Sequence, residues 1–265
     1  MLDKQQVQRQ FDRSASSYDG VAAMQRDIVD FLLSASDWSL PSADSLCTGG
    51  GTFLDAGCGT GYGLKQVAEL LPQLSLKGVD IAPKMLEVAK KTCPSAELIV
   101  GDIESLPLAS ATQNFILSSS AIQWCDTRKV LEEFNRCLVP GGQLLLSTFT
   151  QGTLAQWRSL WGRNNEQSFV TANELGAVFK QSNWVNVRLS QREFVQTFTS
   201  FEDAVASIRD LGAGDASPAR STSPMTRSQL CVVKQRINSL IKQQGFIELK
   251  YQLAFVHATK SAVTA

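Results

Sequence analysis

Apolar residues recur along this chain in two alternating rhythms. A short apolar run at residues 53–56 breaks into glycines, and LKQVAELL (64–71) then spaces its apolar positions as a helix does. The alternation repeats. Residues 74–80 (LSLKGVD) read as a buried strand, and a helix starts at Lys84 with Met85, Leu86 and Ala89 inward. ELIV (97–100) and 115–120 read as the third and fourth strands. Residues 127–138 then form a helix with Val130, Leu131, Phe134 and Leu138 inward. After a tight turn at Pro140-Gly141-Gly142, QLLLSTF (143–149) is a fifth strand buried on both faces. Strands alternating with helices through residue 149 predict an α/β fold with a doubly wound, mostly parallel sheet.

The flanks read differently. Residues 1–38 have Val7 and Phe11 one turn apart, then Tyr18, Val21, Met24, Ile28, Phe31 and Leu32 at roughly helical spacing. They predict a helical arm that either packs on the core or acts as a lid with Tyr18 facing the site. Residues 39–51 are a loop. Beyond Phe149, 153–161, 171–182, 201–211 and 229–244 read as helices, 185–198 and 247–258 as strands, and 212–224 as flexible. There are no repeats. The expectation is one domain, 1–265, with an arm (1–38), a ligand-binding core (52–150) and helical cap insertions with the last strands (151–265).

Composition narrows the chemistry. The formal charge of zero gives no global draw toward nucleic acid or a membrane surface. Cysteines at 47, 58, 93, 125, 137 and 231 form no C-x-x-C, which fits a reduced cytoplasm. The start, with Asp3 and Lys4, has no apolar core of a secretory signal, and no run is long enough to span a bilayer. The single histidine, His257, lies in an apolar run, so no His-based metal centre is expected and the chemistry must work without imidazole.

The glycine turn is Asp55-Ala56-Gly57-Cys58-Gly59-Thr60-Gly61. It is not a dinucleotide fingerprint, because Tyr62 stands where the third glycine would fall, and no G-K-[ST] phosphate loop exists. An acid opening the turn repels a pyrophosphate but suits a ligand with an amino group; the bland alternative is a purely structural turn. The D-x-G-x-G-x-G pattern resembles the first motif of S-adenosylmethionine-dependent methyltransferases of the Rossmann-like class. In that light Asp80, about twenty residues on, is placed to accept the ribose hydroxyls, with Ile81 and Met85 beside it, unless it only caps a helix. Asp102, after the third strand, can accept from an adenine amino group while Ile103 covers the ring, or it can cap a turn. The fourth strand's end, at Ser118, is where the backbone should meet the methionine part of the cofactor.

A narrower resemblance lies in GDIESLP (101–107), Ala121-Ile122-Gln123-Trp124-Cys125, TQGTL (150–154), MTRSQL (225–230) and the opening Phe11…Ala15-x-x-Tyr18-Asp19…Gln25. With these the chain resembles, from Phe11 to Phe255, the malonyl-acyl-carrier-protein O-methyltransferases of biotin synthesis. It departs from them at Gln113-Asn114 (usually Phe-Asp), at Ser119 (usually Asn) and at Leu211-Gly212-Ala213-Gly214. The resemblance implies methyl transfer from S-adenosylmethionine to the free carboxylate of a malonyl thioester, on acyl carrier protein or coenzyme A, to prime pimeloyl synthesis. Such a carboxylate is already ionised at neutral pH, so alignment and water exclusion replace a general base. Tyr18, Gln123 and Trp124 would shape the pocket. Carrier proteins are acidic, and Arg220, Arg227, Lys234, Arg236 and Lys242 fall in a stretch without Asp or Glu. That run is a candidate docking face, or else a solvated helix face. Arg209 and Arg227 are candidates to orient the carboxylate. Two alternatives remain open: a methyltransferase acting on a quinone, sterol or similar small molecule, and a non-catalytic binding scaffold. A nucleic-acid substrate is disfavoured by the neutral charge.

Overall fold

The computed structural model of the chain describes residues 3–15, 23–34, 50–160, 169–210 and 227–262. Its strands are β1 (Thr52–Ala56), β2 (Ser75–Asp80), β3 (Glu97–Val100), β4 (Gln113–Ser119), β5 (Leu138–Phe149), β6 (Trp184–Phe198) and β7 (Ile247–Lys260). They form one sheet in the order β3-β2-β1-β4-β5-β7-β6. The first five pair in parallel, and β7 runs antiparallel between β5 and β6. The chain steps outward from β1 to β3, then returns to β4 on the other side of β1. That reversal opens a crevice at the carboxyl ends of β1 and β4, where ligands bind in open α/β sheets.

The helices are α1 (Lys4–Ser14), α2 (Ala23–Ser34), α3 (Tyr62–Leu70), α4 (Pro83–Thr92), α5 (Thr127–Cys137), α6 (Ala155–Leu160), α7 (Ala172–Lys180), α8 (Phe201–Asp210) and α9 (Arg227–Gln244). Side chains alternate across the sheet, and the core divides by parity. Phe53, Phe115, Leu117, Leu145, Tyr251 and Leu253 face one way, against α2, α3, α8 and α9. Leu54, Ile116, Leu144, Leu146 and Val256 face the other, against α5 and α7. A strand covered on both faces must be apolar at both parities, which is why these strands are continuous apolar runs.

Local chemistry sets the helix starts. The Asp126 carboxylate accepts from the N–H groups of Arg128 and Lys129 at the head of α5. Thr171 and Glu174 form a capping box on α7, and Pro83 opens α4. The expected turn at Pro140-Gly141-Gly142 is instead part of β5, which begins at Leu138 directly after α5. Gly141, at φ 78°, is absorbed where the register against β4 shifts between Gln113 and Phe115. The expected arm is two helices, α1 and α2; the expected flexible stretch 212–224 lies outside the described residues. His257 sits within β7, its Nε2 3.2 Å from Gln143 Oε1, in a structural position.

Candidate functional site

The glycine turn is anchored before it is functional. The N–H groups of Gly57 and Cys58 both donate to the Val79 carbonyl, at 2.7 and 3.1 Å, so the turn is tied to the end of β2. Gly57 has φ 80°, and a Cβ there would lie 2.5 Å from the Ala121 Cβ. The backbone can take this course only without a side chain. Gly61, at φ 84°, starts α3 and lets it approach Ala89 of α4. Asp80, at the tip of β2, accepts from Gly59 N at 2.9 Å through Oδ2 and from Ala82 N at 2.8 Å through Oδ1. It is therefore both a cap of its own turn and a carboxylate at the crevice. An ionised carboxylate has lone pairs to spare beyond these two bonds.

The crevice is an open cleft of about 640 Å³. Asp80 and Asp102 supply carboxylates; Ile81, Met85, Ile103 and Trp124 supply apolar walls; Gly57 and Gly59 supply bare backbone. Across the glycine turn lies a second recess of about 490 Å³, sharing Gly57, Gly59 and Ser119 and adding Gln25, Arg26, Asp55 and Tyr62. The mix of apolar wall with a few convergent polar groups is that of a small-molecule site. Two buried polar atoms, Trp124 Nε1 and Ser120 Oγ, have no partner among the described residues, and both residues line the cleft. Ser120 also holds a left-handed φ of 54°, a strain that concentrates at functional sites. A flat, polar-edged ring with hydroxyls fits this donor set.

Asp55 is 4 % exposed, and its pKa is raised to about 7. Burial is the main cause and the neighbouring Asp80 adds to it, against a hydrogen bond from the Leu64 N–H. Such a group is incompletely ionised at neutral pH until a cation comes beside it.

The sequence-derived residues fall into four groups. Asp80, Ile81, Met85, Asp102, Ile103, Gly57, Gly59 and Trp124 line the cleft, and Asp55 lines the adjoining recess. Gly61, Ser118 and Gln123 line neither. Gly61 serves helix packing. Ser118, expected to contribute its backbone, has a fully buried hydroxyl that donates to the Ala56 carbonyl at 2.8 Å, while Ser119 and Ser120 beside it line the cleft. Gln123 acts at one remove, its Nε2 donating to the carbonyl of Ser120. On the cap, Lys234 is bound to Glu202 and lies 5.8 Å from the Phe201 ring centre, while Arg227 and Arg236 are exposed. Tyr18, Arg220 and the side chain of Arg209 lie outside the described residues.

Sequence reasoning treated α1 as part of an arm or lid but missed which of its side chains enter the cleft. Val7 and Phe11 line the cleft, Phe11 meeting Trp124 edge-on with ring centres 6.1 Å apart. Lys4, on the same helical stripe, reaches Glu104 Oε1 at 2.7 Å, Asp102 Oδ1 at 3.1 Å and Cys125 Sγ at 3.3 Å. Its pKa rises to about 12, because these partners outweigh the burial that opposes its charge. The signal was a lysine three and seven residues before two apolar positions of one stripe.

A sheet of this order, with a carboxylate-flanked glycine turn at its switch point, defines the class I, Rossmann-like methyltransferases. Residues 54–146 match the family model for a methyltransferase domain. The structure resembles Haemonchus contortus phosphoethanolamine N-methyltransferase 2 in complex with S-adenosyl-L-methionine (TM-score 0.57, 18% identity, 94% of this chain and 57% of that one). It also resembles the YcgJ protein of Bacillus subtilis (TM-score 0.55, 16% identity, 81% and 94%). These likenesses show the fold. The malonyl-[acyl-carrier protein] O-methyltransferase of Serratia marcescens is 30% identical over 262 residues, 96% of this chain and 95% of the relative. That of Herminiimonas arsenicoxydans is 28% identical over 264 residues, 98% and 97%. The chain belongs to the malonyl-[acyl-carrier protein] O-methyltransferase family.

Proposed function

We propose that this chain methylates the free carboxylate of a malonyl group carried as a thioester on acyl carrier protein, with S-adenosylmethionine as donor. The supporting observation is the switch-point cleft with two carboxylates and an apolar wall, in a chain related end to end to malonyl-[acyl-carrier protein] O-methyltransferases. In this reading Asp80 accepts the ribose hydroxyls and Asp102 the adenine amino group. Ile81, Met85 and Ile103 cover the ring. Asp55, with Gln25 and Arg26 around it, faces the amino-acid end from the second recess. When bound, S-adenosylmethionine supplies a sulfonium methyl carbon, which an ionised carboxylate oxygen takes in a single displacement as the sulfur leaves with its bonding pair.

No proton has to move. The chain's contribution is therefore alignment and exclusion of water. Trp124 walls the cleft, and Gln123 fixes the Ser120 carbonyl beside it. Tyr18 belongs to the connection between α1 and α2, which reach the cleft and the recess respectively, and we assign it to the lid. For the carrier, the exposed Arg227 and Arg236 on the acid-free helix α9 are better placed than Lys234, which Glu202 already neutralises. The reading is tested by incubating the purified protein with isotopically labelled S-adenosylmethionine and malonyl-carrier protein. A labelled malonyl methyl ester in the mass spectrum is expected; its absence, with intact carrier and measurable donor binding, overturns the assignment of acceptor.

A further inference from the structure

We propose that Lys4 is a positioning residue for adenine recognition: by holding one oxygen of Asp102, it presents the other to the 6-amino group of the cofactor. The idea deepens the reading above and rests on it. The Asp102 carboxylate is asymmetric. Its Oδ1 accepts two bonds, from Glu104 N at 2.9 Å and from Lys4 Nζ at 3.1 Å, while Oδ2 has no partner among the described residues. With Oδ1 held from two directions the carboxylate cannot rotate freely, and its remaining acceptor is the oxygen left for a ligand. Asp102 and Lys4 both line the cleft.

Lys4 is itself fixed. Glu104 Oε1, its second carboxylate, also accepts from Asp126 N at 2.8 Å, tying the lysine to the start of α5. The loop beyond is pinned from the same helix: Leu106 N donates to Glu133 Oε2 at 2.9 Å, and Arg136 donates to the carbonyls of Leu106 and Leu108. Only Lys4 in this network comes from outside the sheet core, on the helix that covers the cleft. Its side chain is 27 % exposed, so the ammonium is partly shielded and its charge is only partly screened. A helix lying across a nucleoside cleft thus carries a cation that bonds the carboxylate reading the base. The contact that seats α1 over the cleft is thus the same contact that orients the adenine acceptor.

The test compares S-adenosylhomocysteine with its 6-deamino (purine riboside) analogue by calorimetry, on the full chain and on Lys4→Met and Lys4→Arg. The native chain should bind the amino ligand about ten-fold more tightly than the deamino one, one hydrogen bond to a charged group. In Lys4→Met the amino ligand should weaken about ten-fold and the deamino ligand less than two-fold, so that the gap closes; Lys4→Arg should keep most of it. The Michaelis constant for S-adenosylmethionine should rise with little change in turnover. Equal weakening of both ligands would show that Lys4 only holds α1 down, and unchanged affinities would remove any role; either overturns the proposal. Failure of the native chain to bind either ligand would instead sink the cofactor reading itself. Lys4→Gln keeps a polar stem and serves the same comparison if Lys4→Met does not fold.

Discussion

Asp55 couples the site to pH. Its folded-state pKa of about 7 stands above the ordinary 3.8, so the folded chain holds a proton that the unfolded chain has already lost between those values. In the ligand-free protein this group therefore contributes less stability as pH rises from about 4 toward 7. A ligand ammonium beside Asp55 reverses the effect by favouring its ionised form. Thermal melts should show stabilisation by S-adenosylmethionine growing from pH 5.5 to pH 8, and Asp55→Asn should flatten both that trend and the decline in the free protein. The glycines of the turn are separable too. Gly59→Ala meets nothing within 4 Å and carries only left-handed strain, roughly 1–2 kcal/mol. Gly57→Ala adds a 2.5 Å approach to Ala121 and should cost about 3 kcal/mol or more, with loss of cofactor binding; urea unfolding and calorimetry measure both.

At the scale of elements, α1 and α5 hold the two sides of the Asp102 loop. Phe11 is half-buried between Trp124 and the group around Met85, so Phe11→Ala should cost about 1–2 kcal/mol, less than a fully buried phenylalanine. It should weaken the cofactor more than it weakens the fold, which donor titration beside urea melts would show. Asp126→Ala removes the α5 cap and should cost about 1 kcal/mol in the same melts. The strands and helices themselves were readable because residues such as Leu54, Ile116 and Leu144 make long apolar runs between glycine and proline breaks. What an apolar run does not reveal is parity. With both faces covered, nothing local separates Ser118, bonded to Ala56, from Ser119, which lines the cleft. For Lys4 the sequence shows its place on the α1 stripe but not its partners, which lie about a hundred positions away and meet it only in the folded arm.

For the whole molecule, the proposed acidic carrier has to find a chain of zero formal charge through a local patch. The helix α9 offers Arg227 and Arg236 with exposed Leu230 and Val232 between them, and no acid along its length. Arg236→Glu should raise the Michaelis constant for malonyl-carrier protein severalfold, more at low salt, and leave the reaction with malonyl-coenzyme A nearly unchanged. Steady-state assays with both acceptors decide it; equal loss on the two would remove α9 from docking. The fold class and the switch point were legible because a glycine turn between a strand and a helix is a local signal. The cap was less so, since its meaning depends on a partner. The parity of β4 has a further reach. Phe115 and Leu117 serve one core, Ile116 the other, and Ser119 the cleft, all on a single count along the strand. Deleting or adding one residue there would invert the two cores and turn the wrong serine to the ligand in the same stroke. A change of length is therefore tolerable only in the connections, and the strand keeps time for interior and chemistry alike.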